Sequence, residues 1–273
     1  MTLLLPARCP LPLDSITHTD LLTLCSRLEP QSVDMILADL PYGTTACYWD
    51  EVIPFEPMWA AFRRVIKPRG AIVMTASGLF THKLAMSNER MYRYEWVWNK
   101  KYHTNPFLAD KQPLRTTESV LIFSRGNESY YPQMVKRPSE WMRERPSYAH
   151  KNGEIYGKSA TRHTNSSTRE WMYPDNILNI SAENPTIRET LHPTQKPVAL
   201  FEYLIRTYTR PGELVLDPCV GSGTTAIAAR NTGRHFICGD LSAEYVTIAR
   251  NRLAQPYTLP MFDRLPIMES VSA

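Results

Sequence analysis

Residues 214–240, LVLDPCVGSGTTAIAARNTGRHFICGD, carry the reading on which the fold turns. Leu214–Leu216 form an apolar run that meets Asp217, and a Gly221-Ser222-Gly223 turn follows. Small and apolar residues from Thr224 to Ala229 then suit a helix, and a second apolar run, 235–239, ends at Asp240. Strand, glycine-rich turn, helix and strand make one unit of a parallel sheet. Apolar runs without alternation imply strands covered on both faces.

The same alternation occupies the first half of the chain. SVDMILAD (32–39) predicts a buried strand, and PFEPMWAAFRRVIKPRG (54–70) a helix with Phe55, Met58, Trp59, Phe62, Val65 and Ile66 on one face and a stop at 67–70. AIVMTAS (71–77) predicts a strand, LFTHKLAMSNER (79–90) a helix, and RYEWVWNK and ESVLIFSR two more strands. After a gap, HPTQKPVALFEYLIRTYTRPGE (192–213) predicts a helix striped by Val198, Phe201, Leu204, Ile205 and Tyr208. SAEYVTIARNRL predicts the last helix. The expected fold is α/β, a doubly wound, mostly parallel seven-stranded sheet interrupted by an insertion.

Composition narrows the class. The chain has 273 residues, 43% hydrophobic and 21% charged, which supports a real core rather than a disordered chain. A formal charge of +4 permits a polyanionic partner without demanding one. Cys9, Cys25, Cys47, Cys219 and Cys238 are odd in number and show no metal-ligand spacing, so free thiols in a reducing compartment and no metal are expected. No stretch reaches the ~20 apolar residues of a membrane span. Pro6 cuts short the apolar start, which also lacks the basic opening of a secretion signal, and a cytoplasmic location without membrane contact is expected.

Between Gly126 and Thr190 the periodicity fades. Residues 131–170 hold Lys136, Arg137, Arg143, Arg145, Lys151, Lys158, Arg162 and Arg169 against four glutamates, with tyrosines and a tryptophan interleaved. Cations neutralise phosphates and aromatic faces stack on bases, so this composition suits nucleic acid. It equally fits a solvated, loop-rich insertion.

The glycine turn selects a ligand by charge. GSGTTA after a strand, with Asp240 ending the next strand, suits a nucleoside whose ribose hydroxyls meet a carboxylate. The same glycines also serve a tight turn without a ligand. A phosphate-binding loop needs a lysine where Thr224 stands. A pyrophosphate would meet Asp217 at close range, whereas S-adenosyl-L-methionine carries no phosphate and is cationic at its reactive end.

Asp39-Leu40-Pro41-Tyr42 ends the strand at 33–39 in the stretch ILADLPYGTTACYWD (36–50). Ligands of open α/β sheets sit beyond the carboxyl ends of strands, so this tetrad and the glycine turn are expected to face one crevice. ADLPYG and LDPCVGSGTT resemble the catalytic and cofactor motifs of the DNA amino-methyltransferases. Their order, with HPTQKP before the glycine motif, resembles the beta class of that family. HTDLL at Asp20, WVWNK, ESVLIFSRG and CGDLSAEYVTIARNRL extend the resemblance over most of residues 16–253. The family tetrad is Asp-Pro-Pro-Tyr, and Leu40 replaces the first proline.

The resemblance implies a Rossmann-like methyltransferase fold in which residues 1–125 and 191–260 form one catalytic domain. Residues 126–190 are the inserted target recognition region and 261–273 a tail. It implies that Asp20 meets the adenine of S-adenosyl-L-methionine and that Thr194 and Lys196 meet its carboxylate. Asp217, Pro218, Gly221, Gly223, Thr224 and Asp240 complete the donor site. Asp39 and the Leu40 carbonyl accept the N–H bonds of the target amine, Pro41 stiffens the turn and Tyr42 stacks on the base. The expected substrate is N6 of an adenine flipped out of double-stranded DNA, since Asp leads the tetrad where N4-cytosine enzymes more usually carry Ser. Homodimers are common in the family. Rival readings are N4-cytosine transfer, a nicotinamide-dependent oxidoreductase using Gly221, Gly223 and Asp240, and a catalytically silent DNA-binding protein.

Overall fold

The computed structural model describes residues 11–43, 51–137, 170–181 and 195–256. The chain divides into two compact units, one of residues 1–131 with 175–263 and one of 132–174 with 264–273. The larger unit is a sheet in the order β1-β10-β9-β2-β3-β5-β4-β8. Its strands are β1 (Ser15–His18), β2 (Val33–Ala38), β3 (Ile66–Ala76), β4 (Tyr92–Asn99), β5 (Thr117–Phe123), β8 (Ile177–Leu178), β9 (Leu214–Asp217) and β10 (His235–Asp240). Only β5 runs against the others. Seven strands form the expected sheet, and the two-residue β8 extends its edge.

Helices α1 (Leu21–Ser26), α2 (Phe55–Val65), α3 (Leu79–Met86), α4 (Val198–Tyr208), α5 (Thr224–Asn231) and α6 (Ala243–Ala254) cover both faces. Met35 and Leu37 of β2 pack with Leu200, Phe201, Leu204 and Ala228. Ile36 and Ala38 turn to the other face with Met58, Trp59, Phe62 and Phe80. Strand alternation thus feeds two cores from one apolar run. Each large side chain buried there stabilises the fold by about 1.5–3 kcal/mol. Trp96 and Trp98 are buried in the core that holds α4.

One boundary differs from the sequence expectation. Lys67-Pro68-Arg69-Gly70 is not a loop after α2 but part of β3, whose register slips between the Val33–Ile66 and Met35–Ala71 pairs. A bulge absorbs the four residues and tolerates the proline. Gly70 fits because a Cβ would lie 2.7 Å from the Asp34 carbonyl oxygen.

The neighbours β2 and β9 leave the sheet toward opposite faces. The crossover from β2 to β3 runs through α2 over one core, and that from β9 to β10 through α5 over the other. Adjacent strands whose connections diverge open a crevice at their carboxyl ends. Asp39 follows one strand and Asp217 ends the other.

In the smaller unit, β6 (Val135–Lys136) pairs antiparallel with β7 (Trp171–Met172).

Candidate active site

A cleft of about 540 Å³ lies at this divergence. Asp39, Leu40, Pro41 and Tyr42 line it together with Asp20, Lys196, Asp217, Pro218, Gly221, Thr224 and Asp240. The structure therefore brings the tetrad and the glycine turn to one cavity. Thr194 lies outside the described residues. Gly223 is not among the lining residues: it caps α5 at φ +90°, and a Cβ would come within 3.0 Å of Ala249 in α6. Its role in this structure is close helix packing.

The glycine turn is held from both sides. Asp240 accepts from Gly221 N–H at 2.9 Å and from Ser242 N–H at 2.9 Å, so its position at the end of β10 is fixed. Gly221 itself adopts φ +51°, a conformation glycine enters without the cost of a Cβ. Asp217 accepts from Cys219 N–H at 2.9 Å and from the Thr225 hydroxyl. Burial pushes its carboxyl up to about 7, against the opposing effect of those hydrogen bonds. Asp217 thus staples the turn, and its charge near neutral pH is weaker than its sequence position implies. Asp20 caps α1 through Thr23 N–H at 2.9 Å.

Charge in the cleft still favours a cation. Among the described residues its lining holds the carboxyls of Asp20, Asp39, Glu51, Asp217 and Asp240 and a single ammonium, Lys196. A phosphate-bearing ligand would meet excess negative charge, and a sulfonium would be attracted. Apolar Leu21, Leu22, Val220 and Phe201 give the remainder the character of a pocket for a flat ring. These residues fit S-adenosyl-L-methionine.

Asp39 is the centre of the opposite wall. Its Oδ1 accepts from Lys196 Nζ at 2.9 Å, from the Tyr42 hydroxyl at 2.8 Å and from the Thr75 hydroxyl, while Oδ2 accepts from Lys196 at 2.8 Å. Among the described residues Oδ2 has Lys196 as its one hydrogen-bond donor. Burial alone would lower the Lys196 pKa, but Asp39, Tyr42 and Glu118 outweigh it and hold the ammonium well above its usual range. Burial and the Asp39 charge raise the Tyr42 phenol similarly, which keeps it a donor. The Tyr42 ring stacks on Phe80 at 5.0 Å with Lys196 Nζ 5.5 Å from its centroid.

Lys196, expected beside the donor's carboxylate, pairs in this structure with Asp39. Its side chain grips the Asp39 carboxylate, and its carbonyl accepts from the Thr224 hydroxyl at 3.3 Å. Glu118 Oε2 lies 3.6 Å from its ammonium, and Glu118 also pairs with buried Lys100 at 2.9 Å. Thr75, Glu118 and Lys100 were not singled out from the sequence. A signal existed: Thr75 is near the carboxyl end of β3, and Glu118 is near the start of antiparallel β5, at the same edge of the sheet.

Of the basic residues of the insertion, Lys136 and Arg137 are described. Lys136 pairs with Glu170 at 3.4 Å on an exposed surface, and Arg137 N–H bonds the Glu170 carbonyl. Arg143, Arg145, Lys151, Lys158, Arg162 and Arg169 lie outside the described residues. Among those described, no group of three His, Cys, Asp or Glu side chains could hold a metal, and no helix is long and apolar enough to cross a membrane.

Comparison with known proteins places the chain in a family. The Type II methyltransferase M2.DpnII of Streptococcus pneumoniae is 27% identical over 267 residues, covering 87% of this chain and 88% of its own. The crystal structure of M1.HpyAVI with SAM superposes with a TM-score of 0.57 at 24% identity, covering 87% of this chain and 98% of that one. PvuII DNA methyltransferase, cytosine-N4-specific, superposes at 0.61 and 17% identity, covering 88% and 86%. At these identities the structural likenesses speak to the fold. The N6_N4_Mtase model, DNA methylase, matches residues 33–251, from the strand that delivers Asp39 to the helix after Asp240. Because that match spans both walls of the cleft and most of the sequence, the chain belongs to the DNA methylase family.

Proposed function

We propose that the chain methylates N6 of an adenine extruded from double-stranded DNA, with Asp39 as the residue that binds the reacting amine. As a DNA methylase it acts on DNA, and S-adenosyl-L-methionine is its methyl donor. The observation that carries the reading is the Asp39 carboxylate facing the glycine turn across one cleft. Asp20, Gly221 and Asp240 would hold the donor, which when bound supplies an electrophilic methyl group on a cationic sulfur.

An exocyclic amine is a poor nucleophile because its lone pair is delocalised into the ring. Asp39 Oδ2 retains acceptor capacity beside Lys196, and accepts one amine N–H there. The Leu40 carbonyl accepts the other, so the nitrogen pyramidalises and its lone pair is freed toward the methyl group. Positive charge that builds on nitrogen is then stabilised by a fixed carboxylate, an effect worth about 3–4 kcal/mol in comparable sites. After the transfer the methylated amine gives up its extra proton to solvent water, which restores a neutral amine. Flipping costs a few kcal/mol, and a base stacked on Tyr42 recovers about 1–3 kcal/mol. The basic residues of 126–190 supply phosphate contacts and sequence reading.

The adenine assignment rests on Asp rather than Ser at position 39; N4 of cytosine is the second reading, because the matched N6_N4_Mtase family covers both amines. Labelled donor with mixed-sequence duplex, digested to nucleosides, decides between them. Label is expected in N6-methyldeoxyadenosine, and label only in N4-methyldeoxycytidine overturns the base assignment. Asp39→Ala should lose at least about a hundredfold in turnover while the donor still binds.

A further inference from the structure

The loop from 101 to 116, between β4 and β5, leaves the sheet at the edge that carries the cleft. It is an ordered hairpin. Thr104 N–H bonds the Arg115 carbonyl at 3.0 Å, Arg115 N–H bonds Asn105 Oδ1 at 2.5 Å, and Lys100 N–H bonds the Thr116 carbonyl at 2.9 Å. Its root is the Lys100–Glu118 pair, and Glu118 reaches Lys196, which holds Asp39. Two further ion pairs therefore link that root pair to the Asp39 carboxylate.

The tip of this hairpin is a short turn, Pro106–Leu108, that leaves Phe107 94% exposed. Leaving a phenylalanine in water forgoes most of what its burial would contribute, so a bare aromatic ring on a stitched loop marks a contact surface. Lys101, Lys111 and Arg115 share the loop with it, all exposed, and Asp110 is the loop's one acid. That excess matches a polyanion better than a protein face. The substrate duplex must approach this edge for its amine to reach Asp39.

We propose that loop 101–116 is a second DNA-contacting element, distinct from the basic insertion: Lys101, Lys111 and Arg115 meet phosphates and Phe107 enters the base stack as a wedge next to the extruded nucleotide. The proposal rests on the methyltransfer reading above. An apolar wedge offsets the unstacking that flipping requires, and it has no task on single-stranded DNA, where the base is already free.

The test uses the full chain with Phe107→Ala, Lys111→Gln/Arg115→Gln and the wild type, on mixed-sequence genomic DNA as native duplex and after heat denaturation. Phe107→Ala is expected to lose about tenfold in kcat/KM on duplex and less than about twofold on the denatured form. Equal rates on duplex, or equal losses on both forms, would overturn the wedge. The double variant should flatten the salt dependence of duplex binding by about two phosphate contacts. An unchanged slope would overturn the phosphate role. Wild-type protein that methylates neither form sinks the underlying reading instead, and the binding slope, which needs no turnover, still decides the loop's part.

Discussion

Lys196 keeps its positive charge at 7% exposure because three anionic or polar partners surround it. Removing the ammonium leaves Asp39 without its counter-ion, and breaking a fully buried pair costs about 3–5 kcal/mol. Asp39 retains 23% exposure, so water moderates that figure. Lys196→Met should therefore lower kcat by roughly ten- to a hundredfold while donor affinity stays within about threefold, and Lys196→Arg should restore part of the rate. Steady-state methyl transfer and calorimetric titration with the donor measure the two quantities. A large loss of donor affinity with kcat intact would return Lys196 to the donor carboxylate. Leu40 illustrates a different compensation. The family's proline stiffens the turn through φ, whereas Leu40 buries its side chain to 4% exposure in the core formed by α2 and α3.

The β9-turn-α5 unit carries its own pH sensitivity. Asp217 ionises near 3.8 when free and near 7 in the fold, because burial disfavours its charge. Its contribution to stability is complete below pH about 4 and is lost as pH rises to about 7, since the folded state binds the extra proton over that window. Asp217→Asn is neutral throughout and preserves an acceptor for Cys219 N–H. The melting temperature of Asp217→Asn minus that of the wild type should rise from pH 4 to 7 and level off above. A flat or falling difference, measured by differential scanning calorimetry, would contradict the burial argument. The turn itself was legible from GSGTTA after LVLD, because glycine spacing and an apolar run are local features. The duties of the two glycines were not. Gly221 borders the cleft and Gly223 packs on Ala249, a residue 26 positions away.

Across the molecule, the five carboxyls and one ammonium that the described residues bring to the cleft favour S-adenosyl-L-methionine over a dinucleotide. Donor at a hundred times its Kd should add about 2.7 kcal/mol of stability. For a chain of this size that raises Tm by roughly 5–10 °C. NAD at the same concentration should move it by less than about 1 °C. A dinucleotide that stabilises as well as the donor would revive the oxidoreductase reading.

Apolar periodicity and local turn chemistry were enough to establish alternating strands and helices, the resumption of that pattern after the insertion, and the two motifs that end β2 and β9. Those features depend on neighbours a few positions apart. Which strands adjoin, and so which ends share a cleft, depends on packing between segments far apart in the chain. Only the folded sheet placed Lys196 on a carboxylate 157 residues away and joined Glu118 to it. It likewise turned Asp217 from a free charge into a buried staple. An ion pair of this kind forms when two distant segments converge and leave water together, and no local pattern records that encounter.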